Sequence, residues 1–155
     1  METIDIDKND RAILRQLQKN GRISVAALAN ILSISESACR RRLERLEESG
    51  IIKNYSCEID AKKLGFSLNV FVSISLGGQA DKDLTKFEQA VRAAPEILEC
   101  WLMTGEDDYL LRIGARDIAD LERIHREVLT KLPNVTRVNT AIAMRSVKDA
   151  KSVAI

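Results

Sequence analysis

Between positions 35 and 50 the chain reads SESACRRRLERLEESG, with four arginines inside six positions and four acids in the same stretch. Projected as a helix at about 100° per residue, Cys39, Leu43 and Leu46 fall within about 60° of one another and form an inward stripe. Ser37, Arg41, Glu44 and Glu48 point the opposite way, with Ala38, Arg40 and Arg45 on the flanks. The first two turns of the outer surface therefore show small side chains and arginines, and the acids lie mostly later. That polarity suits a helix whose first residues enter a DNA groove while its later turns leave it. Ser37 and Ala38 permit close approach, and Arg41 can make a bidentate pair with guanine. Arg40, Arg42 and Arg45 are placed to meet phosphates, which fixes position without reading sequence. The same spacings also describe an ordinary solvated helix, with Arg40 near Glu44 and Arg41 near Glu48, so the elements around it decide the reading.

Residues 7–19 read as a first helix, with Asp7 as its cap, Asp10 in the first turn and Ile13, Leu14 and Leu17 as the apolar stripe. Gly21 ends it. Ser24 caps a short helix, VAALANIL, which turns its Val25, Leu28, Ala29 and Leu32 inward. A tight turn at Ser33-Ile34 leads to the cap Ser35 and the arginine-rich helix, which closes at Gly50. Three helices with so short a turn between the last two predict a helix-turn-helix. The following IIKNYSCEID is expected to form a strand pair that supplies a wing.

From about Gly65 the rhythm changes. FSLNVFVSISL alternates Leu68, Val70, Val72, Ile74 and Leu76 against Ser67, Asn69, Phe71, Ser73 and Ser75, as a half-buried strand does. DLTKFEQAVRAA is a helix with Leu84, Phe87 and Val91 inward, and ILECWLMT and YLLRIGA are strands joined by GEDD. Asp117 caps the helix IADLERIHREVLTKL, and VTRVNTAIAMRSV is the last strand. The order β-α-β-β-α-β predicts a ferredoxin-like plait whose helices cover one sheet face. The other face must be buried against something, and a second copy of the chain is the simplest cover, so a homodimer is expected.

Composition narrows the classes. An apolar content of 45% and a charged content of 30% suit a soluble globular chain. No apolar run approaches the roughly 18 residues that span a bilayer. The acidic start lacks a secretory n-region, so a cytoplasmic location is expected. Net charge is +1, and residues 1–60 hold ten basic and ten acidic residues, so any case for nucleic acid rests on local placement. Cys39, Cys57 and Cys100 form no CxxC pair and are expected as reduced, partly buried thiols. His125 is the sole histidine, which excludes a multi-histidine metal site within one chain. No cofactor, metal site or catalytic residue is expected.

A helix-turn-helix followed by this plait resembles the Lrp/AsnC family of bacterial and archaeal transcription regulators, the feast/famine regulators. Four segments carry the resemblance: DRAILRQLQKNGRIS (10–24), ALANILSISESACRRRLERLEESGIIKNY (27–55), ECWLMTGEDDYLL (99–111) and LPNVTRVNTAIAMRSVK (132–148). It implies an α+β chain with a winged helix-turn-helix DNA-binding domain and hinge strand over 1–60. Over 61–155 it implies a ferredoxin-like βαββαβ effector-binding and oligomerisation domain, the RAM domain. It further implies dimers assembling to tetramers or octamers, pseudo-palindromic double-stranded DNA sites, and an amino-acid effector bound between dimers. Ser35, Ser37, Ala38, Arg40, Arg41 and Arg45 carry over as the recognition surface.

Thr104, Gly105, Glu106, Asp107, Asp108 and Tyr109 align with that family's Gly-x-x-Asp-Tyr effector loop. The chemistry agrees: Asp107 or Asp108 can pair with an ammonium, and backbone N–H groups around Gly105 can take a carboxylate. Thr140 and Ile142 are candidates to complete the pocket from a neighbouring subunit. Two departures stand out. Ser33 occupies a turn position where relatives usually have glycine, at a cost of about 1 kcal/mol if its φ is positive. Trp101 is expected as a buried aromatic, the alternative being that it lines the ligand site. The competing functions are an architectural DNA-binding protein without effector response, and an enzyme. Against the enzyme, His125 stands without a second imidazole or a nucleophile–base pair.

Overall fold

The computed structural model describes residues 5–148. These fall into two compact units, one ending at Glu58 and the other running Ile59–Val147.

The first unit is three helices, α1 (Lys8–Lys19), α2 (Val25–Leu32) and α3 (Glu36–Glu48). Each start is set by a side chain that accepts an otherwise unpaired N–H. Asp7 accepts from Asp10 at 2.9 Å while the Asp10 carboxylate accepts from Asp7 at 3.0 Å, a reciprocal capping box. Ser24 accepts from Ala27 and Ser35 from Ala38. Ser33 closes α2 in the left-handed region, at φ 54° and ψ 44°, so serine does carry the conformation that glycine adopts without strain. Ile13, Leu14, Leu28, Ala29, Cys39, Leu43 and Leu46 form the core, the last three being the inward stripe of α3.

The expected wing is not formed as a strand pair: residues 51–60 contain no strand. The segment contains no glycine and no Asn-Gly or Asp-Gly pair of the kind that favours a two-residue hairpin turn. It instead runs out mostly exposed, held where the Tyr55 hydroxyl donates to Glu47 at 2.7 Å.

The second unit contains β1 (Leu68–Leu76), α4 (Asp81–Ala93), β2 (Ile97–Leu102), β3 (Tyr109–Ala115), α5 (Ile118–Glu127) and β4 (Val135–Ala143). The four strands pair antiparallel in the order β2-β3-β1-β4, the plait expected from the element sequence. Val70, Val72, Ile74, Leu111 and Ile113 bury one sheet face against Phe87, Val91, Ile124 and Leu129. α5 stops at Glu127 rather than running to Leu132, and a 3₁₀ turn at Leu129–Lys131 follows. Pro133 keeps Leu132 itself out of the helical region, at ψ 134°, so the helical turns cannot run through it.

Candidate nucleic-acid interface and effector loop

The four arginines of α3 divide into two pairs. Arg40 and Arg41 are exposed and make no ion pair among the described residues. Arg42 and Arg45 turn back toward α1. Arg42 Nη1 donates to Asp7 Oδ2 at 2.6 Å and to Asp10 Oδ1 at 2.9 Å, and Arg45 Nη2 donates to Asp10 Oδ2. The Asp10 N–H bond, then the Arg42 guanidinium, hold the Asp7 carboxyl down at about 2. Arg42 and Arg45, expected from the sequence to meet phosphates, are paired in this structure with the carboxylates of Asp7 and Asp10. Their spacing of three residues places them on one helix face. The facing acids at positions 7 and 10 are the signal that could have revealed them.

Ser35 and Ser37 are exposed and Ala38 is half-buried at the start of the same surface. The Ser35 hydroxyl caps the helix at 3.2 Å from the Ala38 nitrogen and lies 3.1 Å from the Ser37 hydroxyl. What remains outward is a first turn of small hydroxyl and methyl groups with the exposed carboxylate of Glu36, beside two adjacent guanidinium groups. This arrangement can approach a base edge closely and donate to acceptors on guanine or phosphate.

In the second unit, Met103 donates to the Asp108 carbonyl at 2.8 Å and closes the β2–β3 loop. The Asp108 carboxylate is used internally: it accepts from the Leu76 N–H at 2.7 Å and from Gln79 Nε2 at 2.6 Å. Asp107 accepts from the Ser75 hydroxyl at 3.0 Å and from Arg137 Nη2 at 2.9 Å, contacts that lower its pKa in that order. Arg137 Nη2 also donates to Glu106 at 3.1 Å. Thr104, Gly105 and Glu106 are exposed, and Gly105 holds φ 131°, a conformation disfavoured for other residues. The loop is thus a braced acidic corner with one guanidinium across its mouth. The sequence reading missed Arg137 and Ser75, because only strand pairing places them beside a loop about 30 residues away.

Three expected effector residues lie elsewhere. Tyr109 is 1% exposed, stacked at 4.5 Å on Phe87, and its hydroxyl donates to Glu88 at 3.0 Å. Burial first, then that carboxylate, push its pKa up to about 12. It is a core residue, as its alternation with Leu111 and Ile113 dictates. Thr140 and Ile142 pair with Val72 and Val70 on the helix-covered side, whereas Ser75, Asp107 and Arg137 meet on the open side. Within one chain the structure does not bring them together.

Trp101, expected to be buried, is 41% exposed and sits opposite Leu110 on the open face. Cys39 is buried and Cys100 half-buried, but Cys57 is exposed. Concavities of about 410 and 300 Å³ lie in this unit, and of the expected site residues only Tyr109 lines either. Among the described residues no cluster of three metal-ligating side chains forms, and no helix is long and apolar enough to cross a membrane.

Comparison with known proteins agrees with both halves. Residues 6–53 match the profile described as winged helix-turn-helix DNA-binding, and residues 69–153 match the Lrp/AsnC ligand binding domain. The leucine-responsive regulatory protein of Rhizobium meliloti is 38% identical over 152 residues, 98% of this chain and 97% of that one. A transcriptional regulator from Neisseria meningitidis, solved as its L-Met complex, superposes with a TM-score of 0.92 at 30% identity over 97% of both chains. An AsnC family regulator from Agrobacterium tumefaciens superposes at 0.91 with 33% identity, covering 96% of this chain and 97% of that one.

Proposed function

This chain belongs to the Lrp/AsnC family of DNA-binding transcription regulators, and from that premise we propose how its own residues divide the work. Ser35, Ser37, Ala38, Arg40 and Arg41 are the surface that reads a duplex. The observation that carries this reading is the split of the arginine cluster: α3 keeps Cys39, Leu43 and Leu46 in the core and commits Arg42 and Arg45 internally, and the outward remainder is shaped and charged for a groove. Arg41 pairs with a base and Arg40 with a phosphate.

The working unit is a homodimer formed through the open sheet face, with dimers assembling further toward an octamer. Asn69 supports that cover: its Oδ1 lies on the open side of β1, buried and without a hydrogen-bond partner among the described residues. Two reading helices in a dimer stand about 34 Å apart or a multiple of it, so the DNA site is pseudo-palindromic. The protein acts on DNA in the cytoplasm and does no catalysis.

The acidic corner at 104–108 receives an amino acid. An amino acid brings a carboxylate and an ammonium at once, and the corner offers Arg137 for the first and Glu106 and Asp107 for the second. The exposed backbone at Gly105 adds N–H donors, and Thr140 and Ile142 of a neighbouring subunit close the pocket. The L-Met bound by the Neisseria relative supports this ligand class. A thermal-shift screen of the common amino acids tests it. At 100 times its dissociation constant the effector stabilises the fold by about 2.7 kcal/mol. No shift from any of them refutes the effector loop and favours a DNA-binding protein without effector response.

A further inference from the structure

Among the described residues, Asp10 is the only charged side chain that is fully buried. Capping α1 does not require this, because Asp7 accepts the capping bond and its side chain remains 51% exposed. A buried carboxylate is strongly unfavourable unless it is paired and its lone pairs are used. Asp10 meets both conditions with groups from α3. Its Oδ1 accepts from Arg42 at 2.9 Å, and its Oδ2 accepts from the Asp7 N–H at 3.0 Å and from Arg45.

Two consecutive turns of α3 therefore converge on one carboxylate carried by another helix. Cys39, Leu43 and Leu46 seat α3 on the core, and two contacts a turn apart, one on each oxygen of Asp10, further restrict its roll about its axis. Roll matters here because neighbouring residues differ by about 100°, so rolling α3 in one sense turns Arg41 away from the outer surface and brings Arg42 toward it.

We propose that Asp10 is a positioning residue for DNA recognition: it fixes the roll of α3 and withholds Arg42 and Arg45 from the duplex, leaving Arg40 and Arg41 as the arginines presented. The inference rests on α3 being the reading helix. Its consequence concerns specificity. Loose arginines attract phosphates of any sequence, so withholding two of them raises the ratio of specific to nonspecific binding.

The test uses the full chain and two duplexes: the one that wild-type protein enriches from a randomised pool, and a scrambled duplex of the same composition. Asp10→Asn keeps the size and one acceptor oxygen but removes the charge. Binding to the enriched duplex falls about tenfold or more, binding to the scrambled duplex holds or rises, and the salt slope steepens by about one to two as released arginines find phosphates. Equal weakening on both duplexes with an unchanged slope, accompanied by a lower melting temperature, marks Asp10 as structural only and overturns the proposal.

If circular dichroism shows that Asp10→Asn does not fold, Arg45→Gln decides, since it leaves Asp10 paired with Arg42. A fall of about threefold or more in the specific-to-scrambled ratio, with the slope unchanged, supports positioning. Equal loss on both duplexes with a slope shallower by about one makes Arg45 a phosphate contact and overturns it. Failure of the wild-type chain to enrich any sequence is a separate result: it removes α3 as a reading helix, and the positioning role with it.

Discussion

Asp7 joins two jobs in one carboxylate, capping α1 through the Asp10 N–H and pairing with Arg42 of α3. Its pKa falls from 3.8 to about 2, so its contribution is complete above the ordinary carboxylate value and is lost as the pH drops through about 2. Asparagine caps as well as aspartate, so Asp7→Asn removes the charge and spares the cap. The variant is expected to melt below wild type at neutral pH, with the gap narrowing from about pH 4 down through about pH 2; melting curves across that range check it, and a gap undiminished at pH 2 refutes the ionic role. At this scale the sequence was partly legible. The capping residues and the inward stripe of α3 follow from local spacing, whereas a left-handed Ser33 was suggested only by the glycine that the resembling family carries there. The destinations of Arg42 and Arg45 did not follow from local spacing, because an ion pair spanning 32 to 35 residues leaves no mark in helix periodicity.

The β2–β3 hairpin shows how an element redistributes a motif. Gly105 through Asp108 lie in a connecting loop, but the next residue begins a strand whose alternation turns Tyr109 inward. The sequence contained that information, since YLLRIGA reads as a strand in which Tyr109, Leu111 and Ile113 share one parity, yet the resemblance to the family's loop motif drew Tyr109 into the site. Tyr109→Phe therefore tests the correction. Losing the bond to Glu88 costs about 1 kcal/mol, visible as a lower melting temperature, while any amino-acid response is retained. Abolition of that response with stability intact would return Tyr109 to the site. The opposite limit applies to residues 51–60, where a strand pair was expected but none forms among the described residues. Strand formation depends on a neighbour in a way that helix formation does not.

For the whole molecule, the plait was legible from element order alone, and its open face was inferred from the same order. Phe71 stands on that face, half-buried between Arg112 of β3 and Ala141 of β4. An aromatic at the centre of a buried interface is a frequent energetic anchor, so Phe71→Asp is expected to weaken dimerisation by about 2 kcal/mol or more. Sedimentation over a concentration series measures this, and an unchanged dimer with native circular dichroism would place the interface elsewhere. Thr140 and Ile142 could be named as a neighbouring subunit's share of a pocket only from the resemblance, because shape assembled from several copies is not written in one chain's periodicity. The central claim is that α3 presents Arg41 to bases while its neighbours hold the helix in place. Binding isotherms of Arg41→Ala on the enriched and scrambled duplexes test it most directly. The account predicts a loss of about 1–3 kcal/mol on the enriched duplex and little change on the scrambled one. Equal loss on both, or none on either, would contradict it.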